Sequence, residues 1–284
     1  MRTALLVSIL FQLLGLGAWL YGDNGDKGDT LPGKPVAPAG EGNVLRLMTY
    51  NIHHGEGTDG EFDLERLAKV INGRRPDLVA VQEVDVKTRR SEGVDQAAEL
   101  ARLTGMHYAF GKFMDYDGGE YGQMVLSKYP IVRSRNLPLP PGPEPRAAMA
   151  VELEIPLAGA GGSERLLFVG NHFYATEEER SAQAKRLVEL LAEELAAGVP
   201  TILAGDFNST PGSEPMAILG KHFVDPALGR NRNTWPSDRP RVAIDHILHT
   251  PAARFKFVKS KVVVEKVASD HRPVLTVLEL LGRG

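Results

Sequence analysis

Several polar residues close strongly apolar runs. Asn51 ends "LMTYN", Glu83 sits in "DLVAVQEV", His172 ends "LLFVGNH", Asp206 and Asn208 end "TILAGDFN", and Asp245 lies inside "VAIDHIL". Asp270 and His271 stand just before "PVLTVLEL". A carboxylate at the end of a buried strand is costly unless it is paired, hydrogen-bonded or bound to a cation. So many of them point to one shared polar site. Taken singly, each also fits a strand leaving into a turn, as in "GDFNSTPG".

The chemistry of such a set is bounded by its donor atoms. The chain has no cysteine, so thiolate zinc sites and a cysteine nucleophile are excluded, and a metal must use oxygen or imidazole. Glu83 and Asn51 offer hard oxygens that suit Mg²⁺ or Mn²⁺. Aspartate and histidine beside that ion suit activation of water and stabilisation of a charged phosphoryl group. Hydrolysis of a phosphate ester follows as the expectation.

The elements that must hold these residues are short apolar strands alternating with helical segments, a mixed α/β pattern. Expected strands are "VLRLMTYNI", "DLVAVQEV", "QMVLSKYPIV", "AAMAVELEI", "LLFVGNHFY", "TILAGDFN", "VAIDHIL", "VKSKVVVEKV" and "PVLTVLEL". Three helices are legible. One starts at the cap Asp63 and stops at Gly73, a second runs from Asp95 to Gly105, and a third opens on a capping box, Thr176 with Glu179, and ends at Gly198.

With 284 residues and 43% apolar side chains, the chain can bury a substantial core. Its net charge of -3 gives no general attraction to polyanions, so contact with nucleic acid would need a local basic patch. The run "MRTALLVSILFQLLGLGAWL" carries one early arginine and is otherwise uncharged. It is close to the roughly 20 residues that span a bilayer and fits an export signal or an uncleaved membrane anchor over residues 1–21. Residues 22–42, rich in glycine, proline and aspartate, are expected to be a flexible linker. The folded domain is therefore expected over 43–284, outside the cytoplasmic membrane, with membrane association through the N-terminal segment.

In order along the chain, "TYNI", "PDLVAVQEVD", "GQMVLSKYPI", "EPRAAMAVEL", "GNHF", "LAGDFNSTP", "AIDHIL" and "SDHRPV" resemble the endonuclease/exonuclease/phosphatase superfamily, the deoxyribonuclease-I-like fold. The resemblance covers roughly Asn43 to Leu281. It implies an α/β (α+β) four-layer sandwich: two mainly antiparallel β-sheets packed face to face and flanked by helices, with a monomeric catalytic domain. It also implies roles. Glu83 would be the main metal carboxylate, Asn51 its ligand or support, and Asp270 a residue near the metal. Asp206 would polarise the attacking water and Asn208 would orient it. His271 would face the scissile phosphate, held by Asp245, while His172 would donate to the phosphoryl charge. Arg146 matches a recurring arginine, open to a phosphate contact or a structural ion pair. Either Asp206 or His271 could serve as the base.

The departures are informative. The tryptophan before "GD" and the arginine after "ID" that mark inositol phosphatases are missing from "LAGDFN" and "IDHIL". His53 stands where abasic-site endonucleases carry an acid, which argues against DNA repair. Exported bacterial members are the more similar group.

The adjacent His53 and His54 invite a metal reading. Alternation along an extended chain would place His53 on the side of Asn51 and turn His54 away, so the pair is not expected to chelate one ion. His53 remains a candidate substrate contact. A secreted nuclease would need a basic groove from Arg89, Arg90, Arg230, Arg232, Arg239 and Arg241. A sphingomyelinase-like lipid phosphodiesterase would gain from the N-terminal anchor, although no membrane-inserting hairpin is evident. A non-catalytic binding module predicts substitutions at the metal carboxylate or the His271–Asp245 pair, and none is present.

Overall fold

A computed structural model of the chain describes residues 43–158, 162–227, 232–250 and 254–281. The expected N-terminal segment 1–21 and linker 22–42 lie outside the described residues. The first sheet contains β1 (Val44–Asn51), β2 (Leu78–Val86), β3 (His107–Tyr116), β4 (Gly119–Ser127), β10 (Phe255–Val262) and β11 (Val274–Leu280). Its order is β10-β11-β1-β2-β4-β3. The second contains β5 (Ile131–Pro138), β6 (Ala147–Pro156), β7 (Ser163–His172), β8 (Thr201–Asp206) and β9 (Asp245–His249), in that spatial order.

Each sheet is antiparallel except for one parallel pair, β1 with β2 and β7 with β8. Parallel neighbours need a crossover, and here each crossover is helical. Helix α1 (Leu64–Asn72) joins the first pair. Helices α3 (Glu177–Leu190) and α4 (Ala192–Ala196) join the second. Helix α2 (Gln96–Thr104) follows β2, and the short α5 (Glu214–Leu219) follows β8.

Side-chain alternation sorts the apolar residues into three layers. Leu45, Leu47, Leu78 and Ala80 meet Val151, Phe168, Ile202 and Ala204 between the sheets. Met48, Tyr50, Val79 and Val81 pack outward on Leu67, Ile71 and Leu100 of α1 and α2. Leu167, Val169 and Leu203 pack outward on Ala184, Leu187 and Leu219 of α3 and α5. The four-layer sandwich of two mainly antiparallel sheets expected from the sequence is the architecture found.

Some local expectations are corrected. "QMVLSKYPIV" is not one strand: β4 ends at Ser127, the chain turns, and β5 joins the other sheet. Ser127 Oγ donates to Tyr129 O at 2.7 Å and accepts Tyr129 N–H at 3.0 Å, closing that turn. The "VKSKVVVEKV" strand stops at Val262, and the Thr176–Gly198 helix breaks at Leu191. Strand β3 was not legible at all.

One buried polar contact ties the sheets together near the strand ends. Gln123 Nε2, on β4, donates to Ala147 O at 2.7 Å and Gly170 O at 3.2 Å, on β6 and β7.

Candidate active site

The inner-face alternation that buries Leu45 and Leu47 continues to Asn51 on β1. The same holds for Ile202 and Ala204 leading to Asp206, and for Phe168 leading to His172. Because β1 and β2 run parallel, as do β7 and β8, their C-terminal ends lie at one edge of the sandwich. The register sets His172 beside Asp206 and Asp206 beside Asp245. Gly205 permits this approach, since a Cβ there would stand 2.0 Å from Asn171 O.

Glu83 reaches the site by a different route. Strict alternation would turn it outward with Val79 and Val81. Instead the ladder with β4 shifts register between Gln82 and Val84, and Glu83 adopts φ +59°. This β-bulge re-aims the carboxylate. His53 (φ +47°), His54 (φ +43°) and Asn208 (φ +47°) also hold left-handed backbone and also line the cleft. Such conformations cost on the order of 1–3 kcal/mol for a side-chain-bearing residue, and they gather at functional sites.

The polar groups converge on Asp206. Asn51 Nδ2 donates to Glu83 Oε1 at 2.9 Å and to Asp206 Oδ2 at 3.2 Å, so one amide bridges two carboxylates from different sheets. Asn208 N–H donates to Asp206 Oδ1 at 2.8 Å. His172 Nε2 and His271 Nε2 lie 3.6 and 3.7 Å from Asp206 Oδ2. On its other side His271 Nδ1 is 3.0 Å from Asp245 Oδ2. Ser269 Oγ fixes this loop, donating to Asn51 O at 2.7 Å and accepting His271 N–H at 3.2 Å.

Electrostatics separate the roles. Burial, then the Asp245 carboxylate, pushes Asp206 up to about 7. Burial opposes a charge on His271, but Asp245 and Asp206 outweigh it and push the imidazole up to about 10. His172 is held neutral by burial and by the cations Arg146 and His271, so its approach to Asp206 is a polar contact and not an ion pair. Asn208 Nδ2 lies 3.3 Å from His172 Nε2 and donates to Phe173 O at 2.9 Å.

The donor set fits a hard divalent cation. Glu83 is bent inward at a backbone cost, and it is bridged to Asp206 by a neutral amide whose Oδ1 accepts His53 N–H at 3.0 Å. Asp206, Asp245 and His271 could also surround an ion, their ligand atoms lying within 4.8 Å of one another. His271 spends Nδ1 on Asp245 and carries a proton, however, so that trio suits proton handling better than coordination.

The remaining candidates separate. Arg146 is buried, pairs with Glu144 at 2.9 Å and packs on Phe113, Tyr121 and Tyr174 while lining the cleft. Asp270 accepts Trp235 Nε1–H at 3.1 Å and is not among the lining residues. His53 Nδ1 lies 3.1 Å from Glu56 O. The expectation that His54 turns away is overturned: the strand ends at Asn51, a 3-10 turn follows, and both rings line the cleft with centroids 4.4 Å apart.

The cleft, about 350 Å³, is also lined by Arg90, Met114, Tyr116, Tyr121, Glu144 and Tyr174. Most of these fall on β3, the start of β4 and loops, where no strong apolar period marks them. The arginines weighed for a basic groove scatter. Arg90 lines the cleft, Arg89 pairs with Asp117, Arg232 is buried against Asp225, and Arg239 and Arg241 are exposed on the loop before β9. Arg230 lies outside the described residues.

The model of the Endonuclease/Exonuclease/phosphatase family matches residues 48–271. The uncharacterized protein YbhP of Escherichia coli K12 is 27% identical over 250 residues, which cover 83% of this chain and 96% of YbhP. Among solved structures, an endonuclease/exonuclease/phosphatase from Beutenbergia cavernae is 26% identical with a TM-score of 0.62, covering 84% of this chain and 72% of that one. Another from Bacteroides vulgatus is 22% identical with a TM-score of 0.68, covering 84% of this chain and 99% of that one.

Proposed function

The chain belongs to the endonuclease/exonuclease/phosphatase family, whose members are divalent-metal-dependent hydrolases of phosphate esters, and from that premise we propose that it is a Mg²⁺- or Mn²⁺-dependent phosphoesterase. It acts outside the cytoplasmic membrane, exported or anchored by its apolar N-terminal run. The observation that carries the activity is the convergence on Asp206 of Asn51, which bridges to Glu83, and of His271, which is held by Asp245.

Glu83 and Asn51 would hold the metal, which would supply Lewis-acid charge to the phosphoryl oxygens. Asp206, with its affinity for a proton raised, takes a proton from the attacking water, and Asn208 orients that water. His271, kept protonated, presents Nε2–H to the phosphoryl group. Arg146, which lines the same cleft, donates to the phosphoryl group.

The test is hydrolysis of bis-p-nitrophenyl phosphate and p-nitrophenyl phosphate with Mg²⁺ or Mn²⁺, and again with chelator. Metal-dependent turnover that disappears in Glu83→Ala supports the proposal. No turnover of any phosphoester with either metal would remove it.

A further inference from the structure

Beyond the reacting centre, one wall of the cleft is built around Arg90. Asp85 is fully buried and accepts four hydrogen bonds: Arg90 Nε at 2.6 Å, Arg90 Nη2 at 2.8 Å, Thr88 Oγ1 at 2.7 Å and Ser91 Oγ at 2.7 Å. The guanidinium is thereby fixed in plane and direction.

Its face is fixed too. Arg90 Cζ lies 4.5 Å from the Tyr116 ring centroid and 5.2 Å from that of Tyr121. The clamp is joined to the histidine turn, because Gln96 accepts Asp85 N–H at 2.9 Å and donates to His54 O at 2.6 Å. Arg90 Nη1 has no partner among the described residues, and the side chain is 29% exposed in the cleft.

A guanidinium held this firmly by a buried carboxylate is more than a solvated charge. The Nε and Nη2 edge that would grip an oxyanion side-on is already taken up by Asp85, so a second phosphate would gain little there. What the edge offers is N–H donors at a fixed angle, beside Tyr116, which is 38% exposed, and the imidazoles of His53 and His54. Planar donors beside partly exposed aromatic rings match a ring of C–H faces and hydroxyl oxygens.

We propose that Arg90, clamped by Asp85 and seated on Tyr116 and Tyr121, forms the leaving-group subsite and selects phosphoesters of polyhydroxylated alcohols, with Arg90 Nη1 donating to substrate hydroxyls. This rests on the phosphoesterase reading of the same cleft. A substrate of that kind also fits a cleft of about 350 Å³, near the lower end of small-ligand sites.

The test compares the full chain with Arg90→Met, Arg90→Lys and Tyr116→Ala on a hexose monophosphate, a hexose bisphosphate and p-nitrophenyl phosphate, with Mg²⁺ or Mn²⁺. Melting curves verify folding. Arg90→Met should lower kcat/KM for the hexose monophosphate at least ten-fold more than for p-nitrophenyl phosphate, mainly through KM. Tyr116→Ala leaves the Asp85–Arg90 pair intact and should shift the same ratio in the same direction by several-fold. Arg90→Lys should recover only part of the loss, because a single ammonium cannot reproduce the fork. Equal losses on the hexose monophosphate and p-nitrophenyl phosphate, or none, would overturn the subsite. A preference for the bisphosphate that vanishes in Arg90→Met would overturn it in favour of a second anion site. Turnover of bis-p-nitrophenyl phosphate but of none of these monoesters would overturn the subsite and leave the phosphoesterase reading standing, whereas no turnover of the diester either would defeat both.

Discussion

The His271–Asp245 hydrogen bond, 3.0 Å between Nδ1 and Oδ2, joins the two sheets: His271 enters β11 of the first sheet and Asp245 begins β9 of the second. The proton-handling pair therefore exists only when the sandwich is closed. Replacing Asp245 by Asn should leave the strand in place but withdraw the charge that keeps His271 protonated. Turnover should fall by about 10²–10⁴, with far-ultraviolet circular dichroism unchanged. A fall of less than about three-fold in a folded variant would contradict the assignment.

Glu83 combines a charge with strained backbone, φ +59°. Glycine tolerates that conformation, so Glu83→Gly should remove metal binding while stabilising the metal-free fold by about 1 kcal/mol. Calorimetric titration with Mn²⁺ reads the first effect and urea unfolding in chelator reads the second. A destabilised variant would show that the bulge is not under strain.

Asn51 bridges the carboxylates of Glu83 and Asp206. Asn51→Ala should cost about 1–3 kcal/mol in chelator, the penalty of leaving the buried Asp206 and the half-buried Glu83 without this donor. Mg²⁺ should restore more stability to this variant than to the parent. Identical metal-induced shifts in melting temperature would count against the bridging role.

Away from the site, the largely buried side chain of Asp225 pairs with Arg232, whose Nη1 donates to it at 2.6 Å, and His246 lies alongside. Burial opposes its ionisation, but His246 and Arg232 hold the carboxyl well below its ordinary range. A depressed folded value means that the stabilisation is complete above the unfolded value, about 3.9, and is lost as pH falls below it toward the folded value. Asp225→Asn should lose stability at neutral pH, by about 3–5 kcal/mol, and show a shallower decline between pH 4 and pH 2. Parallel declines in urea unfolding across that range would refute the attribution.

How much of this was legible in the sequence depended on backbone regularity. Asn51, His172, Asp206 and Asp245 end or begin regular strands, so the same period that buries Leu47, Phe168, Ala204 and Ile247 also aims them. Glu83 could be named but not aimed, since its direction comes from a bulge that no local residue announces. The histidine pair departs from strand alternation for a similar reason: two left-handed residues make a turn where the sequence pattern suggests an extended chain. Strand β3 carries glycine and histidine at inward positions, Gly111 and His107, which blurs its alternation. Tyr116 and the face it offers Arg90 went unread with it.

Asn51, Glu83 and His271 ride on one sheet, and His172, Asp206, Asn208 and Asp245 ride on or beside the other. Between the sheets lie mainly apolar side chains, with Gln123 as a polar rivet close to the strand ends. The gap across which a phosphate must be gripped is thus measured out by the thickness of the oily filling. Interiors packed as densely as crystals barely compress, so Phe168, Val151 and Ile202, which touch no substrate, act as the gauge block of the reaction. A methylene gained or lost there would retune the two half-sites against each other without altering a single polar group.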